Sequence, residues 1–162
     1  MSREYSVSAD AQTVVAAPQL VFLNPAAAPS SGIELLRAWC SQRANATSAQ
    51  QGIRLGTKAS VFPTMVGQTP AKLKQGDPAS GLVSGVGGAG TAGINSSVNG
   101  GGTETGIYAD NFNVLNGWLW VATPVDTIMV RGGDTVGIFE QFTSTPGTLT
   151  GWSWGVVYRE IG

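Results

Sequence analysis

Residues 151–160 read Gly-Trp-Ser-Trp-Gly-Val-Val-Tyr-Arg-Glu, GWSWGVVYRE, and two readings compete for them. Gly151 to Gly155 match G-x-S-x-G, the nucleophile elbow of serine hydrolases, with Ser153 as the nucleophile. That chemistry needs a neighbouring base, normally a histidine oriented by a carboxylate. The chain contains no histidine, and its only lysines are Lys58, Lys72 and Lys74. Only Val156 to Gly162 follow the motif, where neither the elbow's helix nor the acid and base fit. The other reading is a β-strand, in which residues two apart share a face. Trp152, Trp154, Val156 and Tyr158 then line one side, and Ser153, Gly155, Val157 and Arg159 the other. The glycines leave room for bulky neighbours, and Ser153 points away from the aromatic row.

Working outward, GWLWVA at 117–122 repeats the pattern, with Trp118 and Trp120 on one face and Leu119 and Val121 on the other. Apolar character on both faces predicts burial on both sides. Similar runs are EYSVS, TVVA at 13–16, QLVFL at 19–23, GIRLGTKASVF at 52–62, TGIYA at 105–109 and DTVGIFEQF at 134–142. β-Branched and aromatic residues fill these runs, and Gly, Pro and Asn bound them. About seven to nine strands in one domain spanning 1–162 predict an all-β sandwich or barrel. Trp118, Trp120, Trp152, Trp154 and Tyr158 are the aromatics to place: they suit core, an interface, or a sugar-stacking platform.

Two segments are harder to read. In SGIELLRAWCSQ, Ser31-x-x-Glu34 forms a capping box, and Ile33, Leu36 and Cys40 share a helical face, so local pattern favours a helix. Residues 81–106, GLVSGVGGAGTAGINSSVNGGGTETG, hold ten glycines in 26 positions and predict a long Gly-rich loop. Ordering such a loop is costly in entropy, which makes a neighbouring subunit the natural candidate to hold it.

Composition narrows the function classes. Charged residues are 12% of the 162, about half the usual share of roughly 25%. The net charge of -1 leaves no electrostatic footprint for nucleic acid. No apolar run approaches the length a membrane span needs, and no secretory signal is seen, so synthesis in a cytoplasm is expected. A weakly charged surface is poorly defended against association, which suggests that much of it is meant to be covered. GVGGAG at 85–90 satisfies G-x-G-x-x-G only formally, because no helix can follow it to hold a pyrophosphate. One cysteine, Cys40, and no histidine exclude the usual zinc sites, and Cys40 reads as a small buried hydrophobe. Asp110, Asn111 and Asn113 miss the calcium-loop spacing and read as an Asx-rich turn. Glu34, Glu104, Asp110 and Glu140 are the carboxylates that could meet in space for glycoside hydrolysis, though nothing in the spacing says that they do. No cofactor, metal or catalytic residue is expected.

The order of segments resembles a family of small tailed-phage and prophage virion proteins. The likeness rests on REYSVS, VVAAPQLVF, IELLRAWCSQ, the Pro-rich FPTMVGQTPAKLKQGDP, YADNFNVLNGWLWVATP and the closing GWSWGVVYREIG. It spans most of the chain, although the 81–106 segment is richer in glycine and the middle poorer in charge than the family pattern. The resemblance implies a jelly-roll-like domain that forms homotrimers on a phage head, as capsid decoration (cement) proteins do, with the major capsid protein as partner. It also implies that IELLRAWCSQ is a strand. A self-assembling filament or tube, a carbohydrate-binding module using paired tryptophans, and a glycosidase-like enzyme are the alternatives.

Overall fold

The computed structural model describes residues 3–15, 19–25, 32–132, 134 and 136–162. Among them there is no helix, and so none long and apolar enough to cross a membrane. The strands are β1 (Arg3–Gln12), β2 (Gln19–Asn24), β3 (Gly32–Gln42), β4 (Gln50–Ala59), β5 (Val66–Gly67), β6 (Ala71–Lys72) and β7 (Val83–Ser84). They continue with β8 (Thr91–Ser96), β9 (Glu104–Asn113), β10 (Trp118–Val121), β11 (Ile128–Val130), β12 (Val136–Phe142) and β13 (Trp152–Ile161).

Two sheets pack face to face. One runs β10-β3-β13-β1-β6 with β11 also on β3; the other runs β5-β8-β2-β12-β4-β9 with β7 on β8. The pairing is nested: β1 with β13, β2 with β12, β3 with β10 and β4 with β9, all antiparallel, with successive pairs in opposite sheets. That is a long folded hairpin wrapped on itself into a β-sandwich of two packed sheets. Thirteen strands exceed the seven to nine expected. The surplus is mostly β5, β6, β7 and β11, two or three residues each, too short to carry a periodic signal.

The alternation of β13 builds the core. Trp152, Trp154, Val156 and Tyr158 all point between the sheets and are buried there with Tyr5, Leu35 and Leu55. Each buried indole needs a partner for its N–H. Trp152 donates to the Thr148 carbonyl at 2.7 Å and Trp154 to the Leu20 carbonyl at 2.9 Å. A second, smaller cluster covers the outer face of the β2–β12–β4 sheet: Phe62 meets Phe22 and Phe139 edge-on, with Met65 beside them.

Residues 32–42 form strand β3, as the segment resemblance implies and against the local helix pattern, while Ser31 of the capping box lies outside the described residues. Opposite Arg37 stands Val157, and opposite Leu35 stands Tyr158, so Leu36 is one residue too many. This β-bulge switches the inward set from Ile33 and Leu35 to Ala38 and Cys40. The phase slip counterfeits a helical period.

The Gly-rich segment is likewise no open loop, since it contains β7, β8 and the start of β9. The chain holds it without a neighbour. Ser96 Oγ donates to the Pro63 carbonyl, Thr64 and Ser97 hydroxyls meet at 2.9 Å, and Asn24 Nδ2 reaches the Gly87 carbonyl at 3.1 Å. Gly102, at φ +95°, lies so close to the Ala59 carbonyl that no side chain fits. TVVA is also not a strand at Val14 and Val15, and Ala16 lies outside the described residues. Val14 is a buried connector whose N–H donates to the Leu149 carbonyl at 2.8 Å.

Candidate functional site

Ser153 lies on the outer side of β13, where its Oγ accepts from the Ala11 N–H at 3.2 Å and donates to Asp10 Oδ1. Here β1 carries an extra residue between Ala9 and Gln12, with Ala11 at φ 53°. Ser153 therefore supplies the acceptor that a bulged backbone lacks. Gly155 beside it does make room: a Cβ there would sit 2.5 Å from the ring of Trp39 on β3.

Of the five aromatics singled out, Trp152, Trp154 and Tyr158 are core and present no face to a ligand. Trp118 and Trp120 on β10 also turn inward, with 7% and 9% exposure. Trp118 Nε1 donates to Asp110 Oδ2 at 3.2 Å, and the Tyr108 ring lies 6.4 Å from Trp118 and 6.3 Å from Trp120. The outward partners are where the expectation fails. Leu119 and Val121 are 62% and 56% exposed, because none of the described residues packs outside β10.

These side chains belong to a larger feature. β10 and β9 are the edges of the two sheets on the same side of the sandwich. β9 pairs only with β4, and Thr105 to Asn111 are all exposed. Ile107 is an extra residue in that strand, lying between Gly106, opposite Gly56, and Tyr108, opposite Leu55. Between the edges lies a groove of about 560 Å³, walled by Ile107, Tyr108, Leu119, Val121 and Val125. Val125, at 87% exposure, sits on the turn after β10, held by the Asp126 N–H to the Thr123 carbonyl at 3.1 Å. Asp126 and Thr123 add polarity at one end. Apolar walls beside the open outer edge of a ten-residue strand can bury hydrophobic side chains and pair with backbone. The groove presents neither nucleophile nor paired acid and base.

The four carboxylates occupy four separate surroundings. Glu34 pairs with Arg159 at 3.3 Å; Glu104 pairs with Arg54 and Lys58; Asp110 serves Trp118; Glu140 is buried in the core. Burial drives the Glu140 carboxyl well above its ordinary range, and neither of its oxygens has a partner. Burial, with Glu140 nearby, also raises the Cys40 thiol. Asp110, Asn111 and Asn113 lie in β9, not in a turn, standing opposite Ile53, Gly52 and Gln50 of β4. Only Asn113 begins a turn, accepting the Leu115 N–H at 3.0 Å. GVGGAG leads into strand β8. Among the described residues no group of acidic or cysteine side chains could hold a metal ion.

Sequence reasoning missed Ile107, Tyr108, Val125 and Trp39 as surface features. Tyr108 carried a signal in the TGIYA run, but which of two sheet faces is left uncovered depends on tertiary order. No family model, curated protein or solved structure matches this chain.

Proposed function

We propose that this chain is a structural assembly subunit, a virion surface protein that decorates a phage capsid through non-covalent contacts made by the β9–β10 side. The observation that carries the reading is the outward apolar pair Leu119 and Val121 beside the open edge of β9. Contiguous apolar surface of this kind marks interaction sites, and a specific contact needs roughly 1,200 Å² or more in total. The segment resemblance supports a homotrimer and the major capsid protein as partner. Low charge, 12% of residues, is consistent with surface meant to be covered.

Light scattering across a concentration range tests it. A mass near three times 16.7 kDa is expected, falling to one chain in Leu119→Ser/Val121→Ser. Open-ended growth with concentration would replace the closed oligomer with a filament. A monomer that adds neither mass nor stability to capsids would sink the assembly reading. A second reading, carbohydrate binding, has one favourable observation, the half-exposed Tyr108 ring beside Trp120 and Asp110. Tryptophan fluorescence unmoved by a glycan panel would remove it.

A further inference from the structure

Outside the sandwich core, beneath the glycine-rich segment, five polar side chains close a ring. Lys58 on β4 is fully buried, with Nζ 4.1 Å from the centre of the Phe62 ring. Its ammonium donates to the main-chain carbonyl of Asn99 and lies 3.4 Å from Glu104 Oε1. The other oxygen of Glu104 accepts from Arg54 Nη2. Arg54 Nε donates to Gln141 Oε1 at 2.8 Å, and Gln141 Nε2 donates to Asn99 Oδ1 at 3.4 Å, completing the circuit.

Two cations here share one carboxylate. Arg54 keeps its charge under all conditions and is partly exposed, whereas Lys58 holds an ammonium out of water against an aromatic ring. Burying an ion without full compensation is costly. The ring also holds what would remove that charge: a carboxamide on the residue the amine already touches, a hydrogen bond polarising its carbonyl, and a carboxylate beside the nitrogen.

We propose that Lys58 and Asn99 form an intramolecular isopeptide bond, with Glu104 carrying the proton. Glu104 takes a proton from Nζ, whose lone pair attacks Cγ of Asn99. The Gln141 N–H stabilises the charge that develops on Oδ1, as a preformed donor does in acyl transfer. The Nζ–Cγ bond forms and the Cγ–Nδ2 bond breaks. Of the three ammonium protons of Lys58, one stays on the new amide and two reach the leaving nitrogen through Glu104. It departs as ammonium, and because Asn99 is exposed it enters solvent directly. No oxidant, metal or cofactor is consumed. The product ties β4 to the glycine-rich segment covalently and leaves Glu104 to Arg54 alone.

The test is the intact and peptide-level mass of the purified full chain under denaturing conditions. The expected result is a loss of about 17 Da, one ammonia, and a proteolytic fragment in which Lys58 and Asn99 are joined. Glu104→Gln and Asn99→Ser, each shown to be folded by its near-ultraviolet spectrum, should keep the full mass. Wild-type protein at full mass with separate Lys58 and Asn99 peptides overturns the proposal, whatever the variants do. A 17 Da loss that persists in Lys58→Met also overturns it, because Asn99 would then have cyclised onto the Gly100 nitrogen.

Discussion

Replacing Glu140 with methionine should stabilise this protein at neutral pH, and by more as pH rises. Glu140 lies on β12 facing the sandwich core, 1% exposed, with both carboxyl oxygens unpartnered. Burial raises its affinity for a proton well above that of a free glutamate. The folded chain therefore binds more protons than the unfolded one once pH exceeds the unfolded value of about 4.3. Stability must then fall with pH, by about 1.4 kcal/mol per unit, until Glu140 itself ionises. The unsatisfied neutral carboxyl adds a pH-independent cost of roughly 1–3 kcal/mol. Methionine has similar length, no charge and no hydrogen-bonding demand, so Glu140→Met should recover both components. Glutamine recovers only the first. The assay is denaturant unfolding of wild type and both variants at half-unit steps from pH 4 to pH 8, read as differences so that other groups cancel. The wild-type-minus-Met difference should grow with pH, and the Gln curve should run parallel to the Met curve at lower stability. A difference that is flat across this range, or a Met variant less stable than wild type at pH 7, would refute the reasoning.

Other perturbations separate core from surface. Trp154→Ala should cost about 3–5 kcal/mol in the same unfolding assay, since it empties a fully buried site and strands the Leu20 carbonyl. Leu119→Ser, on the exposed side of β10, should change monomer stability by no more than about 0.5 kcal/mol while weakening association in light scattering. Gly155→Val should cost at least about 1–3 kcal/mol, because even its first carbon would lie 2.5 Å from Trp39 and 2.7 Å from Ser8. Thermal melts that leave Gly155→Val unchanged would mean that Trp39 can swing away.

The two-residue period of GWSWGVVYRE was enough to place the core strand β13, because both sides of the strand kept phase over its whole length. At residues 32–42 the local pattern alone points to a helix, and only the resemblance implies the strand, since a single extra residue, Leu36, converts two in-phase halves into something that looks helical. Bulges are set by what lies opposite, here Arg37 against Val157, and a single strand's sequence does not contain its partner. The Gly-rich segment misled in the opposite direction. Glycine reads as looseness, yet at Gly102 it is required by close approach to the Ala59 carbonyl. The candidate site was half legible: Trp118 to Val121 was recognised as apolar on both faces, but whether another layer covers the outer face depends on the strand order of the whole sheet. Glu140 gave no local sign at all, as one glutamate in GIFEQF is an ordinary exposed residue until Ile138 and Phe142 turn its face inward.

The way the chain distributes its cover gives the assembly reading a direction. The outer face of the β2–β12–β4 sheet is roofed by the chain itself, with Phe62 and Met65 laid over Phe22 and Phe139. On the side of the sandwich away from β9 and β10, the outermost strands are β5 and β6, two residues each, too short to template pairing. The β9 side has no such defence. Its edge strand runs ten residues without a lysine or proline, the two residues most used to blunt an edge, and its bulge turns out an isoleucine rather than a charge. The adjacent β10 turns Leu119 and Val121 outward on the same side. A chain that covers one face and shortens one pair of edges, yet leaves the ten-residue β9 beside the outward Leu119 and Val121 of β10, concentrates its capacity for contact in one place. Association through β9 and β10 needs no rearrangement of the core, because Trp118 and Trp120 already hold that edge from the inside.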